Sequence, residues 1–397
     1  MNNNVIRQRG AVSIFIVIFT ALLVTIVTTS FVQIMLRNQQ QASNNDLSQS
    51  AYDSAMAGVE DAKRALVKLK QCSRNAALPG CAAVQNLVAR GNLDCEVLGR
   101  GASQAGVVDF VDGEVAVGDP TLNQAYTCVK VDVQTESYNG KLSPNQAVVI
   151  PLLPVGDSNA LSSVRISWYS QDDLPDGTTA PSLPAGIPDL PQNDENAWGR
   201  TVPPIMRSQL IQFNGNAPIS LNAFDGGNAR TRLLYPLSGG GTANFADDNR
   251  RAAGTNTLTP GGCQTSFWYK GYACSVVVAI PGGFAAPQQR EAYLQLAGYY
   301  IRSGGSMNYS VELCDSAACS ASDIIDFDNV QPKVDATGRA SDLFRRVSAS
   351  VTVSPAGTPD PFPEATITTT NLCKDFFITD NANRYNGDAS GGGVCEP

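Results

Sequence analysis

Residues 11–36 read AVSIFIVIFTALLVTIVTTSFVQIML and contain no charged side chain. As a helix with about 1.5 Å rise per residue, this stretch is about 39 Å long, which exceeds the roughly 30 Å hydrocarbon core of a bilayer. Arg7 and Arg9 are the only charged residues before it, and Arg37 ends it. Because basic flanks stay in the cytoplasm, the pattern predicts a single membrane span with an exported body. The alternative is a cleaved secretory signal, whose apolar part is usually only about 7–15 residues long.

The helical pattern continues beyond this apolar stretch. Residues 47–70, LSQSAYDSAMAGVEDAKRALVKLK, place apolar side chains three and four positions apart, which is typical of an amphipathic helix. Residues 39–46, QQQASNND, contain neither proline nor glycine. We therefore expect one helix over residues 11–70, whose second half packs against a folded domain. The expected apolar stripe consists of Tyr52, Ala55, Met56, Val59, Ala62, Leu66 and Leu69.

Composition limits what the rest of the chain can be. The chain has 397 residues and a net charge of −8, which argues against nucleic-acid binding because that function uses a basic surface. It has no histidine, which excludes Ser-His-Asp and Cys-His catalysis and histidine-ligated metals. Charged residues make up only 16% of the chain, and there are 35 glycines and 23 prolines. These numbers favour a body rich in strands and turns.

Alternating polarity predicts strands in this body. Val164, Ile166 and Trp168 alternate with polar residues, and Asp112-Gly113 is typical of a tight hairpin. Gly304-Gly305 also predicts a hairpin between the strands on either side of it. The fold class is therefore α+β, a long N-terminal helix followed by an antiparallel β body. We expect strands near residues 107–111, 114–117, 129–133, 164–168, 275–280, 292–301, 307–314, 347–353 and 365–370.

Residues 172–204 interrupt this pattern with seven prolines. Proline is excluded from helix interiors and from central strands, so the stretch is either a linker between two β domains or a long surface loop. The linker interpretation gives a first β-rich domain over residues 71–171, packed on the helix. A second β-rich domain then covers residues 205–397.

The ten cysteines indicate disulfides in an exported protein. The sequence does not fix their connectivity, but short gaps favour bonds between neighbours. A zinc site is disfavoured, because the chain has no Cys-x-x-Cys pair and no histidine. The expected pairs are Cys72–Cys81, Cys95–Cys128, Cys263–Cys274, Cys314–Cys319 and Cys373–Cys395.

The N-terminal segment resembles a known family. Arg9-Gly10 followed by Ala11 resembles the site cut by prepilin peptidase, and the apolar helix with its amphipathic continuation resembles that of a type IV pilin or pseudopilin. Residues 51–66, AYDSAMAGVEDAKRAL, are similar to the end of the N-terminal segment of PilX-type minor pilins. The last expected disulfide, Cys373–Cys395, resembles the C-terminal loop of many pilins.

This resemblance implies that residues 1–10 are a leader peptide, with Gly10 its last residue. Ala11 then becomes an N-methylated mature start. The fifth mature position is Phe15, where most major pilins have a glutamate that pairs with the N-terminal ammonium of a neighbouring subunit. A subunit without this acid suits a tip or initiating position. The implied partners are other pilin subunits through the helix, prepilin peptidase and the inner (cytoplasmic) membrane.

The remaining candidate sites have weaker patterns. Two acidic groups could offer oxygen ligands to calcium, although neither has EF-hand spacing. Residues 267–272, FWYKGY, could stack on sugars or on protein partners. We predict no enzyme activity, catalytic residue, cofactor or metal. The acidic groups are Asp172, Asp173 and Asp176, and Asp323, Asp326 and Asp328.

The sequence therefore predicts a minor pilin-like structural subunit of a type IV pilus or related secretion filament. It would begin as a single-pass membrane protein with an exported body and become part of a cell-surface pilus after processing. The exposed body would contact a partner, a host-cell surface or a carbohydrate ligand in adhesion, and no nucleic acid. The alternative is a single-pass anchored extracellular binding module that does not polymerise.

Overall fold

The structure is a computed structural model. It describes residues 10–82, 114–117, 123–144, 146–156, 161–186, 190–191, 198–213, 230–239, 242–244, 259–280, 291–302, 305–352 and 377–378. The chain divides into two compact units. The first, here called the helix unit, contains Met1–Ala65, Asp94–Lys130 and Asp335–Ser348. The second, here called the body unit, contains Leu66–Leu93, Val131–Val334 and Ala349–Pro397.

One helix, α1, spans Gly10–Arg74 without interruption over 65 residues. The prediction of a single continuous helix is confirmed. The helix ends where Asn75 begins a turn, with the Asn75 side chain accepting a hydrogen bond from the backbone N–H of Ala77 at 3.1 Å. Pro79 and Gly80, which has a φ of 81°, follow in this turn. Proline cannot continue a helix, and glycine adopts the left-handed region without strain.

The strands that follow the helix are short. They are β1 Val115–Ala116, β2 Gln124–Thr135, β3 Tyr138–Leu142, β4 Ala147–Pro151, β5 Ser163–Ser170, β6 Leu190–Pro191, β7 Ile205–Phe213, β8 Arg230–Tyr235, β9 Thr242–Asn244, β10 Thr259–Pro260, β11 Tyr272–Ala279, β12 Glu291–Tyr299, β13 Met307–Cys314, β14 Ile324–Ile325, β15 Phe327–Ala340, β16 Leu343–Ser350 and β17 Phe377–Ile378.

These strands form an antiparallel-rich set of sheets, which confirms the α+β class. A four-stranded sheet has the order β1-β2-β15-β16, and a five-stranded sheet has the order β10-β8-β7-β12-β4. A six-stranded sheet has the order β14-β13-β5-β11-β9, with β3 also paired to β13. β17 pairs with β6. Parallel pairing occurs between β10 and β8 and between β9 and β11.

In the helix unit, α1 packs through small side chains. Ala51, Ser54, Ala55, Val59 and Ala62 are buried, whereas Tyr52 of the predicted stripe is 44% exposed. Four of the seven predicted stripe residues are buried, including Leu66, so the stripe is confirmed in its centre, and the observed face is shifted from it toward Ala51 and Ser54. Small residues are favoured here because the backbones approach closely. A side chain at Gly338 of β15 would collide with the backbone of Ala51 and Ala55.

The main core lies in the body unit and draws on two sheets. Val164, Ile166 and Trp168 of β5 are fully buried, together with residues of the five-stranded sheet such as Leu294. Trp168 donates its indole N–H to the carbonyl oxygen of Pro204 at 2.9 Å. The predicted alternation of β5 thus places its apolar residues in the core, and its polar residues point to the opposite face.

Two sequence expectations need correction. Residues 172–204 do not separate two β domains over 71–171 and 205–397, because β5 pairs with β11 and β13 while β4 pairs with β12. Where it is described, this stretch is loop except for a 3-10 turn at Gln171–Asp173 and the two-residue strand β6, so it is nearer to the long-loop interpretation. The two strands on either side of Gly304-Gly305 do not form a hairpin either. β12 pairs with β4 and β7, whereas β13 pairs with β3, β5 and β14. The hairpin at Asp112-Gly113 and the strands near residues 107–111 and 365–370 lie outside the described residues.

Candidate functional site: an exposed apolar helix segment and a polar cleft

The first half of α1 exposes a continuous apolar surface. Every large apolar side chain from Ile14 to Leu36 is more than half exposed. In the part of the chain that the structure describes, Ile14–Cys72 is the one helix that is long and apolar enough to cross a membrane. Soluble proteins rarely leave an apolar surface of this extent uncovered. The segment is therefore a candidate contact surface for lipid or for other apolar helices.

The threonines of this segment form their hydrogen bonds within the helix. Each hydroxyl donates to a backbone carbonyl four positions earlier, at 2.7–2.9 Å. A polar group in hydrocarbon is costly unless it has such an internal partner. These four hydroxyls are therefore compatible with apolar surroundings. They belong to Thr20, Thr25, Thr28 and Thr29.

The predicted processing residues lie at the start of the helix. Gly10 is the first residue of α1 and Ala11 follows it within the helix. Phe15 is 75% exposed, so the described residues leave most of the side chain at the expected fifth mature position uncovered. Residues 1–9 of the predicted leader lie outside the described residues.

Three of the five expected disulfide pairs are present in the structure: Cys72–Cys81, Cys263–Cys274 and Cys314–Cys319. Cys72–Cys81 closes the turn after α1, and the other two crosslink the ends of β11 and β13 to adjacent loops. Cys128 is also disulfide-bonded, and its expected partner Cys95 lies outside the described residues. The expected pair Cys373–Cys395 lies outside them as well.

The six-stranded sheet has a second face that is polar and yet buried. Ser163, Ser167 and Ser275 are almost inaccessible to solvent. Ser167 donates a hydrogen bond to Ser275 over 3.0 Å, and Ser163 donates to the carbonyl oxygen of Ser316 at 2.6 Å. Buried polar groups need such partners. The pairing of these hydroxyl groups therefore depends on the register of adjacent strands, which brings them together.

Glu312 is the charged centre of this face, and its side chain is only 2% exposed. Lys270 Nζ lies 2.5 Å from its Oε1, and the Tyr269 hydroxyl donates to its Oε2 at 2.6 Å. Arg165 lies directly opposite Glu312 in the ladder, with its Nε 3.7 Å from Oε2. Burial and the bond to Glu312 raise the pKa of Tyr269, so that its hydroxyl remains a donor.

The guanidinium of Arg165 is held in place on several sides. It lies 4.4 Å from the ring centroid of Tyr269, a cation–π arrangement. Its Nη2 donates to the carbonyl oxygen of Cys319. Its Nη1 donates to the Ser275 hydroxyl at 3.4 Å, which is a long bond. Its Nε is buried without a hydrogen-bond partner.

A cleft of about 370 Å³ opens beside this arginine. Its walls come from β5, β11 and the segments that follow β8, precede β11 and follow β13, and the lining residue Trp268 is 41% exposed. The indole N–H of Trp268 donates to the carbonyl oxygen of Ala273 at 2.9 Å, which fixes the ring. Sequence reasoning found Trp268 within the aromatic run but missed the cleft. Its main lining residues are Arg165, Ser238, Gly262, Gln264, Trp268 and Ser275.

Two of the acidic side chains considered as calcium ligands, Asp173 and Asp323, accept hydrogen bonds from protein groups. Asp173 accepts hydrogen bonds from the backbone N–H groups of Ser170 and Asn308 at 2.7 and 3.0 Å. Asp323 accepts from the Ser316 hydroxyl at 2.6 Å and from the Ser320 N–H at 2.9 Å. Burial raises the pKa of Asp173, whereas the hydrogen bonds lower the pKa of Asp323 to about 2. Among the described residues, no group of three or more acids or cysteines could hold a metal ion.

The chain matches no protein-family model, no curated protein and no solved structure. A functional assignment therefore depends on the residues and the geometry described above.

Proposed function

We propose that this chain is a minor pilin-like structural subunit of a type IV pilus or a related secretion filament, at its tip or at its initiating position. The observation that carries the proposal is the apolar surface of α1, on which every large side chain from Ile14 to Leu36 is more than half exposed. Lipid would cover this surface before assembly, and helices of other subunits would cover it in the filament. The helix would thus serve as anchor first and as filament core afterwards.

Within the membrane, the first contacts would depend on packing rather than on escape from water. Lipid tails are as apolar as leucine, so helices associate in a membrane through close packing and interhelical contacts. The aromatic side chains Phe15, Phe19 and Phe31 add large contact areas to this surface. Once the helix has left the bilayer, an unassembled helix would face water instead of lipid. Each large side chain that is fully buried in the filament then contributes about 1.5–3 kcal/mol. The assembled state is therefore strongly favoured over a free subunit.

Phe15 supports the tip or initiating position. A carboxylate in an apolar environment is costly unless it is paired. A subunit with no neighbour above it would leave such a carboxylate unpaired, and Phe15 avoids this cost. The body, crosslinked by disulfides, would then face outward and contact a partner or a surface.

The mature N-terminus tests this proposal. We expect intact-mass and peptide mass spectrometry of sheared surface filaments to find a chain that starts at N-methylated Ala11. Gly10→Val should block processing and remove the chain from filaments, whereas Gly186→Ala, in open surroundings in the body unit, should leave both unchanged. A chain that keeps Met1 and is never found in sheared filaments would contradict the proposal. That result would favour an anchored binding module that does not polymerise.

The position in the filament has its own test. We expect immunogold labelling of the wild-type body to mark filament ends. Phe15→Glu supplies the acid that could pair with a neighbour above, so label should spread along the shaft. Phe19→Glu places an acid four residues further into the apolar segment and is the matched control. Equal shaft labelling of wild type and Phe15→Glu would contradict the terminal position.

A further inference from the structure

The cleft beside Arg165 has the features of a ligand site that filament assembly does not need. We propose that it binds an acidic saccharide, with the carboxylate of the sugar at the Arg165 guanidinium and the sugar ring stacked on Trp268. This inference goes beyond the proposed function and does not depend on polymerisation.

The charge of the cleft favours an anion. Among the described residues that line it, Arg165 is the one with a charged side chain, although the chain as a whole has a net charge of −8. Glu312 is shared between Arg165 and Lys270, so two buried or half-buried cations have one buried anion between them. Lys270 and Glu136 are both substantially exposed, at 48% and 74% of their side chains, and are screened by water. The charge that lines the cleft itself is therefore the cation of Arg165.

The geometry of Arg165 favours a carboxylate. A guanidinium presents several N–H donors in a planar fork that matches the two oxygens of a carboxylate. Here Nη1 has only a long bond to Ser275, at 3.4 Å, and Ser275 lines the same cleft. Nη1 can therefore still donate a strong hydrogen bond toward the cleft. Contacts to Tyr269 and Cys319 hold the guanidinium in one orientation, which lowers the cost of ordering it upon binding.

The other walls favour a sugar ring. Trp268 exposes part of its indole while its N–H is already bonded to Ala273, so the ring offers an apolar face in a fixed orientation. The amide of Gln264 and the hydroxyls of Ser238 and Ser275 line the same cleft and can bond to sugar hydroxyls. A site with one aromatic surface and several polar groups around it is typical of specific small-ligand recognition.

The cleft is also rigid and open because of its backbone. Gly262 has a φ of 59°, and a side chain there would collide with the carbonyl oxygen of Ser275. Cys263, bonded to Cys274, and Ala318, within the Cys314–Cys319 loop, form parts of the walls. A volume of about 370 Å³ lies in the range of small-ligand sites. The walls therefore leave room for a sugar ring and need little rearrangement.

Tryptophan fluorescence of the full chain in detergent micelles tests the inference. The chain has three tryptophans, of which Trp168 and Trp198 are buried, so quenching by a saccharide reports on Trp268. The probes are 3′-sialyllactose against lactose, and trigalacturonate against a neutral galactose trimer. We expect at least one acidic probe to bind about tenfold more tightly than its neutral match. Added salt should reduce this difference.

Variants separate a site from general adhesion to the surface. Calorimetry should show at least a tenfold loss of affinity in Trp268→Ala, with partial retention in Trp268→Phe. Arg165→Lys keeps the charge and the pairing with Glu312 but loses the planar fork, so we expect it to lose the preference for acidic probes. Phe344→Ala removes another exposed aromatic side chain, which is 58% exposed on β16, and should change nothing. Near-ultraviolet circular dichroism confirms that each variant is folded.

Several results would overturn the inference. They are equal binding of acidic and neutral probes, an effect of Phe344→Ala as large as that of Trp268→Ala, and no binding of either acidic probe by the folded wild type at millimolar concentration. Tighter binding of a short peptide through its C-terminal carboxylate would assign the cleft to peptides instead. Each of these outcomes leaves the filament proposal untouched, because that proposal is decided by the mature N-terminus.

Discussion

The hydroxyl of Tyr126 in β2 donates a hydrogen bond to Oδ2 of Asp61 in α1 over 2.9 Å. Arg64, one turn further along the helix, donates to the other oxygen of the same carboxylate at 2.9 Å. Burial and the neighbouring Asp61 raise the pKa of Tyr126, so the hydroxyl remains a donor. Within the helix unit, this bond fixes the rotation of α1 on its sheet.

Tyr126→Phe should therefore destabilise the helix unit. A hydrogen bond to a charged group contributes about 1.5–3 kcal/mol, and we expect the free energy of unfolding to fall by this amount in urea titrations followed by circular dichroism. Tyr52→Phe is the control, because Tyr52 lies on the same helix with its side chain 44% exposed. Equal stability of the two variants would show that the bond contributes nothing.

Gly338→Ala should weaken the same unit through crowding. The added methyl group would collide with backbone atoms of Ala51 and Ala55, which cannot rotate away as a side chain can. We expect a loss of about 3 kcal/mol and faster proteolysis of the adjacent helix surface. Gly186→Ala adds the same methyl group in open space and should be neutral. A Gly338→Ala chain that is as stable as the Gly186→Ala chain would contradict the close packing.

Glu312→Gln should destabilise the body unit because it removes the anion between two cations. Breaking a buried ion pair by removing one partner costs about 3–5 kcal/mol, and the loss should be visible as a lower midpoint of chemical denaturation. Glu136→Gln is a matched control, since Glu136 also contacts Lys270 but is exposed. If both variants unfold at the same midpoint, Glu312 is not the required counter-ion.

Asp323 should contribute to acid unfolding. Its hydrogen bonds lower its pKa to about 2, below the value of about 3.9 in an unfolded chain. A lowered folded-state pKa adds stability above about pH 4, and this stability is lost as the pH falls toward about 2. Asp323→Asn should therefore reduce the dependence of the urea midpoint on pH between about pH 5 and about pH 2. An unchanged dependence would contradict the role of these hydrogen bonds.

Asp173 should have the opposite effect on the pH dependence of stability. Burial raises its pKa, so its contribution to stability is largest at low pH and is lost as the pH rises through the folded-state pKa. Asp173→Asn removes this contribution, and we expect its acid unfolding to become steeper than that of the wild type. The two aspartate variants should thus move the pH dependence in opposite directions in the same titration.

Local pattern predicted the helix and several strands because their polarity repeats with a definite period. The alternation of β5 is an example, since Val164 and Ile166 are in the core while Arg165 lies on the polar face. β15 was not predicted, because Pro332 lies within it and because the residues that alternate into the interior after it, Val334 to Ala340, are mostly small. The shift of the buried helix face relative to the predicted stripe has a related cause. Ala51 and Ser54 look unremarkable by hydrophobicity, and their burial follows from the close approach of β15.

The site could be predicted only in part. Residues 267–272 drew attention through their aromatic side chains, and Arg165 was recognised as a polar position in an alternating strand. That Glu312 lies opposite Arg165 is a matter of register between strands far apart in sequence. No local pattern specifies such a register, so the cleft and its charge balance required the three-dimensional structure.

The three disulfides with both cysteines among the described residues are short-range, whereas the sheets of the body unit are not. The three disulfides join cysteines 5, 9 and 11 positions apart, but β5 pairs with residues more than one hundred positions later. In the proposed exported protein, Cys72–Cys81 can therefore form before any strand has emerged, and each later loop can close as soon as its second cysteine has emerged. The order in which the cysteines emerge therefore favours these neighbouring pairs. The three bonds can then be correct before the slow assembly of the sheets is complete.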